Sequence, residues 1–367
     1  MTGKTVNASL YSNKPKRAPL AALFYLSLVG VCFLFADFLP LPFLPDKLDL
    51  NNIYLPPFAW QNDEAAKSFH WLGTDHLGRD VLANIIYGCR TAILLSIPAM
   101  SIASVLGLLL GGIAGYYGNK TIRVSLVSLF ILLLTLMLAY FYGFYLRNYS
   151  LTEPQVLTNA NKSFYISWLT FSSITVAGIF LSTWINKHIH LSAYLHIPID
   201  QMIMKSIELL SAIPRIILIL CLAAYTRPSL LNLILISGLT YWTEPARLIR
   251  AELLRIKTLN YIESAKAVGL ADFYILIRHA LPNALSSIIV AATFGTAGLI
   301  SLESTLSFLN IGMPADIASW GKMVASARNN FSAWWLVLFP GLALCGTVLS
   351  LQALSNWLVY KLNPKNR

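Results

Sequence analysis

Arg215, Glu244 and Glu303 lie in or beside stretches built almost wholly of Leu, Ile, Ala, Gly and Ser. An ionisable group in such surroundings is costly unless it meets a partner or water. Each is therefore a candidate for an ion pair, a proton relay or a contact with a charged solute. A second cluster is His70-Trp71-Leu72-Gly73-Thr74-Asp75-His76-Leu77-Gly78-Arg79-Asp80. Its histidines and acids could hold a metal. The preferred reading is a brace, in which Gly73 and Gly78 turn the chain around Thr74 while Asp75, Arg79 and Asp80 lock it by charge-assisted hydrogen bonds. Lys187, His188, His190 and His196 form a third group, whose spacing does not match a zinc site and which has no acid near it; it reads as a solvated interfacial cluster. No Ser/His/Asp set shares a plausible pocket. Gly3-Lys4-Thr5 lacks the preceding glycine and strand of a phosphate loop. The expectation is a chain that catalyses no bond chemistry and binds no cofactor or metal of its own.

The longest charged run is Arg247 to Asn283, which separates two apolar segments. It must lie in water or against another protein. Ile249, Leu253, Ile256 and Leu259, then Ile262, Ala265 and Val268, recur at helical spacing. The spacing predicts a helix stopped by Gly269 at positive φ. A second helix, capped by Asp272 and ended near Pro282, should follow. Two short amphipathic helices meeting at a glycine corner make a knob.

The elements around these residues are set by composition. The 367 residues are 56% hydrophobic and 12% charged, with mean hydropathy +0.63 and net charge +11. That composition excludes a soluble domain and implies a polytopic membrane protein. A span needs about 20 apolar residues. Eight are expected, at 19–38, 91–117, 124–146, 164–186, 207–225, 229–247, 284–305 and 335–359. The first is a retained anchor rather than a cleaved leader. Eight spans put both termini on one side, and most lysines and arginines then fall inside, so the termini should be cytoplasmic. The basic charge is accounted for by topology, not by nucleic acid. The four cysteines have neither metal nor disulfide spacing.

Glu263-Ser264-Ala265, then Gly269, then Leu281-Pro282 resembles the EAA loop of ABC-importer permeases, with serine in place of the first alanine. Arg278-His279-Ala280-Leu281-Pro282-Asn283 is similar to the form found in dipeptide and oligopeptide (and nickel) importers. The run from Leu72 to Asp80, with Ile86-Tyr87-Gly88 and Arg90, resembles that family's segment before its second helix. Leu302 to Gly312 resembles the family's signature at the outer end of the seventh expected span, except that Asn310 stands where glycine is usual. Ser319-Trp320-Gly321 and Leu338-Phe339-Pro340-Gly341 extend the match, while Ser355-Asn356-Trp357 replaces a usual Gly-Asp pair. The likeness covers about 68–118 and 198–357; between them the family usually has only a few residues.

The resemblance implies an all-α type I ABC-importer permease core of six helices plus an inserted transmembrane pair. The parts are a tail and first helix (1–38), an external segment (39–90), a second core helix (91–118) and the inserted pair (119–197). The remaining core (198–360) carries a coupling loop (247–283), and a cytoplasmic tail (361–367) follows. In such a permease the loop docks on a separate cytoplasmic ATPase. ATP and Mg would then sit on two ATPase partners, beside a second homologous permease and an external substrate-binding protein. The site would be the bacterial inner membrane, and the function one half of a peptide pathway. A cation at Arg215 could meet a peptide carboxylate or hold two helices together, and the helix directions predict a contact with Glu244. Two alternatives remain at this point: an ion-coupled carrier relaying through Glu303 and Arg215, and a membrane scaffold docking through the inserted pair.

Overall fold

The computed structural model describes residues 18–58, 70–119, 123–146, 160–188, 194–196 and 198–362. The basic N-terminal tail and His190 lie outside them, as do the side chains of Lys187, His188 and His196. Thirteen α-helices are described, in chain order: α1 Leu20–Phe35, α2 Val81–Tyr117, α3 Leu126–Tyr140, α4 Ala160–His188, α5 Ile199–Ala212, α6 Arg215–Tyr225 and α7 Leu230–Tyr241. They continue with α8 Thr243–Ile256, α9 Asn260–Ala267, α10 Asp272–Ile275, α11 Leu281–Phe308, α12 Trp320–Ser326 and α13 Trp335–Leu362. The chain forms two compact units, one of residues up to Tyr116 and from Ile203 onward, the other Tyr117–Met202.

In the larger unit the glycines of α2 decide the packing. Gly107, Gly111 and Gly115, four residues apart, lie directly against Pro245, Ala246 and Arg250 of α8. Removing side chains on one stripe lets two backbones approach where lipid supplies no hydrophobic drive between helices. Leu95, Ala99, Ala103, Leu233, Ala246, Leu299 and Leu306 form the buried core beside that contact. A second apolar cluster ties Val29 of α1 and Cys89 of α2 to Trp320 of α12 and Trp335 and Leu336 of α13.

The smaller unit is a helix pair, α3 continued by a π turn over Phe141–Tyr145, and α4. Gly143 lies against Phe171, and Gly178 against Thr135. Phe130, Met137, Tyr165, Leu169 and Phe180 stand exposed. A three-residue antiparallel ribbon, β1 Arg123–Ser125 on β2 Tyr194–His196, pairs Arg123 with His196 and brings the two ends of the segment together. The Gln201 N–H donates to Asn119 Oδ1 at 3.1 Å, beside that ribbon.

The expected spans need correction. Among the described residues, four helices are long and apolar enough to cross a membrane: Val81–Tyr117, Tyr165–Ile185, Asp272–Phe308 and Trp335–Leu362. The second span begins ten residues earlier than expected, so Ile86–Arg90 belong to a helix rather than to the preceding loop. The fifth is broken: α5 and α6 meet at 79° around Pro214. Proline has no N–H to donate and clashes with a preceding carbonyl, which ends α5. Arg215 is thus the first residue of a new helix, not the middle of a span. The sixth divides at Trp242 into α7 and α8, because Pro245 cannot bond back to Tyr241. α1 and the stretch Phe130–Tyr145 are shorter apolar helices.

Candidate functional site

The corner between α9 and α10 is built by backbone geometry. Gly269 has φ +85°. Its N–H donates to the Lys266 carbonyl at 2.9 Å, and Leu270 N–H to that of Ala265 at 3.2 Å. This pair of bonds is the Schellman closure, which needs a left-handed residue where Gly269 stands. Ile262, Ile275 and Leu276 are buried and seat the corner on the bundle. Glu263, Ser264, Lys266 and Asp272 are exposed, with Val268, Phe273 and Tyr274 at 80%, 66% and 50% accessibility. Ala265 is half-buried. Three large apolar side chains ringed by charges, held on a rigid turn, form a surface suited to a protein partner.

Tyr116, the penultimate residue of α2, pins this corner, a role that the sequence reading missed. Its hydroxyl donates to Asp272 Oδ1 at 3.0 Å. Its carbonyl accepts from Lys257 Nζ, and the Lys257 and Lys266 ammoniums lie 5.5 and 5.9 Å from its ring centroid. Its place beside the glycines of α2 was the available signal.

Three expectations for the loop are revised. The first helix is interrupted at Lys257–Leu259, so α8 and α9 are separate. Asp272 is not the cap; Ala271 occupies that position, and the Asp272 carboxylate goes to Tyr116. Pro282 does not end a helix: Asp272–Phe308 runs as one 37-residue helical segment. A π turn over Leu276–Ala280 precedes the proline, with Leu281 N–H donating to the Leu276 carbonyl five residues back. The wider turn gives room to the ring of a residue that lacks an N–H. Leu281 and Pro282 therefore lie inside this segment, and Asn283 Nδ2 donates to Tyr261 Oη at 2.9 Å.

At the other end of that helix, Glu303 is fully buried. Its carboxylate accepts from Ser307 Oγ at 2.8 Å, Ser319 Oγ at 2.7 Å and Ser304 Oγ at 3.4 Å. Ser319 also caps α12 by accepting from Gly321 N–H. Trp320 Nε1 donates to the Ile85 carbonyl of α2 at 2.9 Å. These bonds join α2, α11 and α12. Asn310 (φ +57°) and Gly312 (φ +79°) make the following turn. Asn310 replaces a usual glycine because asparagine tolerates the left-handed region better than other side chains.

The 70–80 cluster folds as a turn on the start of α2. Gly73 has φ +84° and Gly78 φ +72°, and a methyl on either would overlap the Leu55 or Asp49 carbonyl. Asp75 Oδ1 accepts from the N–H groups of Leu77 and Arg79 at 2.8 and 2.9 Å. Asp80 Oδ2 accepts from Ala83 N–H at 2.8 Å, and its Oδ1 lies 2.8 Å from His70 Nδ1. Thr74 Oγ1 bonds to the Asn52 carbonyl, and its own carbonyl accepts from Trp335 Nε1 at 3.0 Å. Arg79 joins this lock through its backbone N–H, and its guanidinium makes no ion pair with Asp75.

Arg215 Nη2 lies 3.7 Å from Glu244 Oε1 and 3.4 Å from Thr243 Oγ1, with its guanidinium 4.2 Å from the Tyr241 ring centroid. The contact with Glu244 is the one that the helix directions predict. Arg247 Nη1 reaches the same Oε1 at 3.8 Å. Both members of the first pair are part-exposed, so it adds little stability.

Residues 178–367 match the family described as binding-protein-dependent transport system inner membrane component. The chain is 34% identical over 212 residues to a Brucella suis permease protein with a provisional peptide-transport name, covering 58% of this chain and 69% of that one. It is 26% identical over 356 residues to the dipeptide transport system permease protein DppC of Bacillus subtilis, with 96% and 84% covered. Against the protein of that name in Alkalihalophilus pseudofirmus the identity is 27% over 297 residues, covering 81% and 72%. On the family match and these likenesses, the chain belongs to the binding-protein-dependent transport system inner membrane components, as a multi-pass permease.

Proposed function

We propose that this chain is a permease subunit of an ATP-driven peptide importer, forming half of the pathway. The observation that carries the reading is the corner Asn260–Asp272: an exposed apolar and charged surface on a rigid turn, joined to a helical segment that spans the bundle. Two cytoplasmic ATPases would bind ATP and Mg and hydrolyse the nucleotide. Each needs a corner to hold, so a second homologous permease completes the pair, and an external binding protein delivers substrate. The corner, with Glu263, Ser264, Ala265 and Gly269, would face the ATPase in the cytoplasm, and both termini would lie on that side. The Glu303 and 70–80 ends would face outward as the brace. Closure of the ATPase dimer would draw on the corner and tilt the segment from Asp272 to Phe308, opening the pathway to the outside. Dipeptide permeases among the relatives support peptides as the cargo.

The test is uptake of labelled dipeptide and tripeptide by proteoliposomes holding this chain, its partner permease, both ATPases and the binding protein. Uptake should require ATP and vanish with hydrolysis-dead ATPases. Uptake driven by a proton or sodium gradient without ATP would overturn the proposal.

A further inference from the structure

A cavity of about 410 Å³ opens beside the turn after α11, at the end of that helix opposite the corner. Arg79, Lys322 and Arg328 all line it, and Asp75 is the one carboxylate among the described lining residues. Asp75 is already engaged by the turn N–H groups. The three cations come from three different places: the turn before α2, the middle of α12, and the short turn after it. None makes an ion pair with a carboxylate among the described residues.

Lys322 and Arg328 are instead held by neutral groups. Lys322 Nζ donates to the Ile317 carbonyl at 2.9 Å and to that of Pro314, and burial pushes its ammonium down to about 8. The Arg328 guanidinium lies 3.8 Å from the Phe308 ring centroid. Arg79 Nε is buried and has no hydrogen-bond partner among the described residues. A buried charged donor left unmet is costly. The two buried acids nearby are already engaged, Asp80 by His70 and the Ala83 N–H and Glu303 by three serine hydroxyls, and Glu303 and the exposed Asp316 act on Lys322 through space without a direct ion pair. Two guanidinium forks and one ammonium around a concave space is the arrangement that recognises planar or tetrahedral oxyanions.

The geometry points to a binding site for a small oxyanion, a carboxylate or a phosphate, between Arg79, Lys322 and Arg328. The site needs only this cavity, so it stands apart from the transport reading.

The test uses the purified full chain in maltoside, with calorimetric titration at constant ionic strength set by chloride. The probes are inorganic phosphate, the dipeptide Ala-Ala, its C-terminal amide, and phosphatidylglycerol. At least one of phosphate, Ala-Ala and the lipid should bind, and which one binds identifies the source of the oxyanion. If Ala-Ala binds, its amide should bind at least tenfold more weakly. Arg79→Gln and Lys322→Gln should each weaken binding tenfold or more, while Lys361→Gln at the far end of α13 should not. Three results would overturn the site: no binding by any of the oxyanion probes, equal affinity for Ala-Ala and its amide, or unchanged affinity in folded Arg79→Gln and Lys322→Gln. The probe titrations use the unaltered protein, so absence of binding by every oxyanion probe, or, where Ala-Ala binds, equal affinity for its amide, overturns the site even if a variant misfolds.

Discussion

Replacing Gly111 with alanine should loosen α2 from α8, whereas the same change one residue on, at Gly112, should not. A methyl at Gly111 would stand 2.3 Å from the Ala246 carbonyl oxygen and 2.8 Å from its Cα. Ordinary contact begins near 3.4 Å, and the obstacle is backbone, which cannot swing aside. The helices must part by roughly 1 Å or bend, and overpacking of this kind costs about 1–3 kcal/mol. Alanine regains about 1 kcal/mol over glycine in a helix, so the net loss is on the order of 1 kcal/mol. At Gly112 the nearest atom is Leu281 Cδ2 at 3.8 Å, which is ordinary contact. There only the propensity gain remains. Thermal unfolding of both variants in the same maltoside should give the order Gly112→Ala at or above wild type, and Gly111→Ala below. Equal midpoints, or the reverse order, would refute the argument that the glycine stripe sets the approach of α2 to α8.

Gly269→Ala should insert and keep its ATPases, because nothing lies within 4 Å of the added carbon, yet φ +85° strains it by about 1 kcal/mol or more. It and Glu263→Lys should uncouple ATP hydrolysis from uptake; full uptake by both in the reconstituted system would remove the coupling role from the corner. A deletion joining Gly118 to Pro198 should keep part of the transport activity, since β1 and β2 hold the ends of that segment together; a chain that no longer folds would show the pair to be integral. Asn310→Gly should match or exceed wild-type stability, and Asn310→Val should lose about 1–2 kcal/mol at φ +57°, as read by thermal unfolding. Lys322 has its pKa lowered to about 8 from 10.5, first by burial and then by the charge of Arg79, against the opposing pull of Asp316 and Glu303. Between those values the unfolded chain holds a proton that the folded one does not, so stability should rise from pH 8 to pH 10.5. Lys322→Met should flatten that rise, and an unchanged slope would contradict the assignment.

The apolar runs were legible because lipid demands them, and Gly73, Gly78 and Gly269 because left-handed backbone favours glycine. Helix ends were harder to read. Pro282 looks like a terminator by every local rule, and only the π turn before it, which makes room for a ring without an N–H, shows why the helix continues. The start of α2 at Val81 is hidden in the sequence because Asp80 reads as part of a loop, not as the residue whose carboxylate accepts from the Ala83 N–H of a first turn. Charge alone places the Arg79 guanidinium in the lock, whereas it is the backbone N–H that bonds to Asp75. Lys322 and Arg328 sit some 240 residues from Arg79 in the chain. No periodicity links such positions; the turn at Asn310 and Gly312 does.

The π turn at Leu276–Ala280 has a consequence for how the corner faces its surroundings. One residue in an α-helix accounts for about 100° of rotation, and a π turn holds one residue more than an α turn for the same hydrogen-bonded closure. It therefore takes up one residue between α10 and α11 without the rotation that the residue would add in a regular α-helix. Deleting a single residue between Leu276 and Ala280 would close it to an ordinary α turn and leave the corner's heading nearly unchanged, whereas the same deletion in the regular part of α11 would swing the corner about a quarter-turn around its axis. A corner grafted from a relative would keep its heading if the wide turn travelled with its extra residue or if both were left behind, and would lose it if only one of them were.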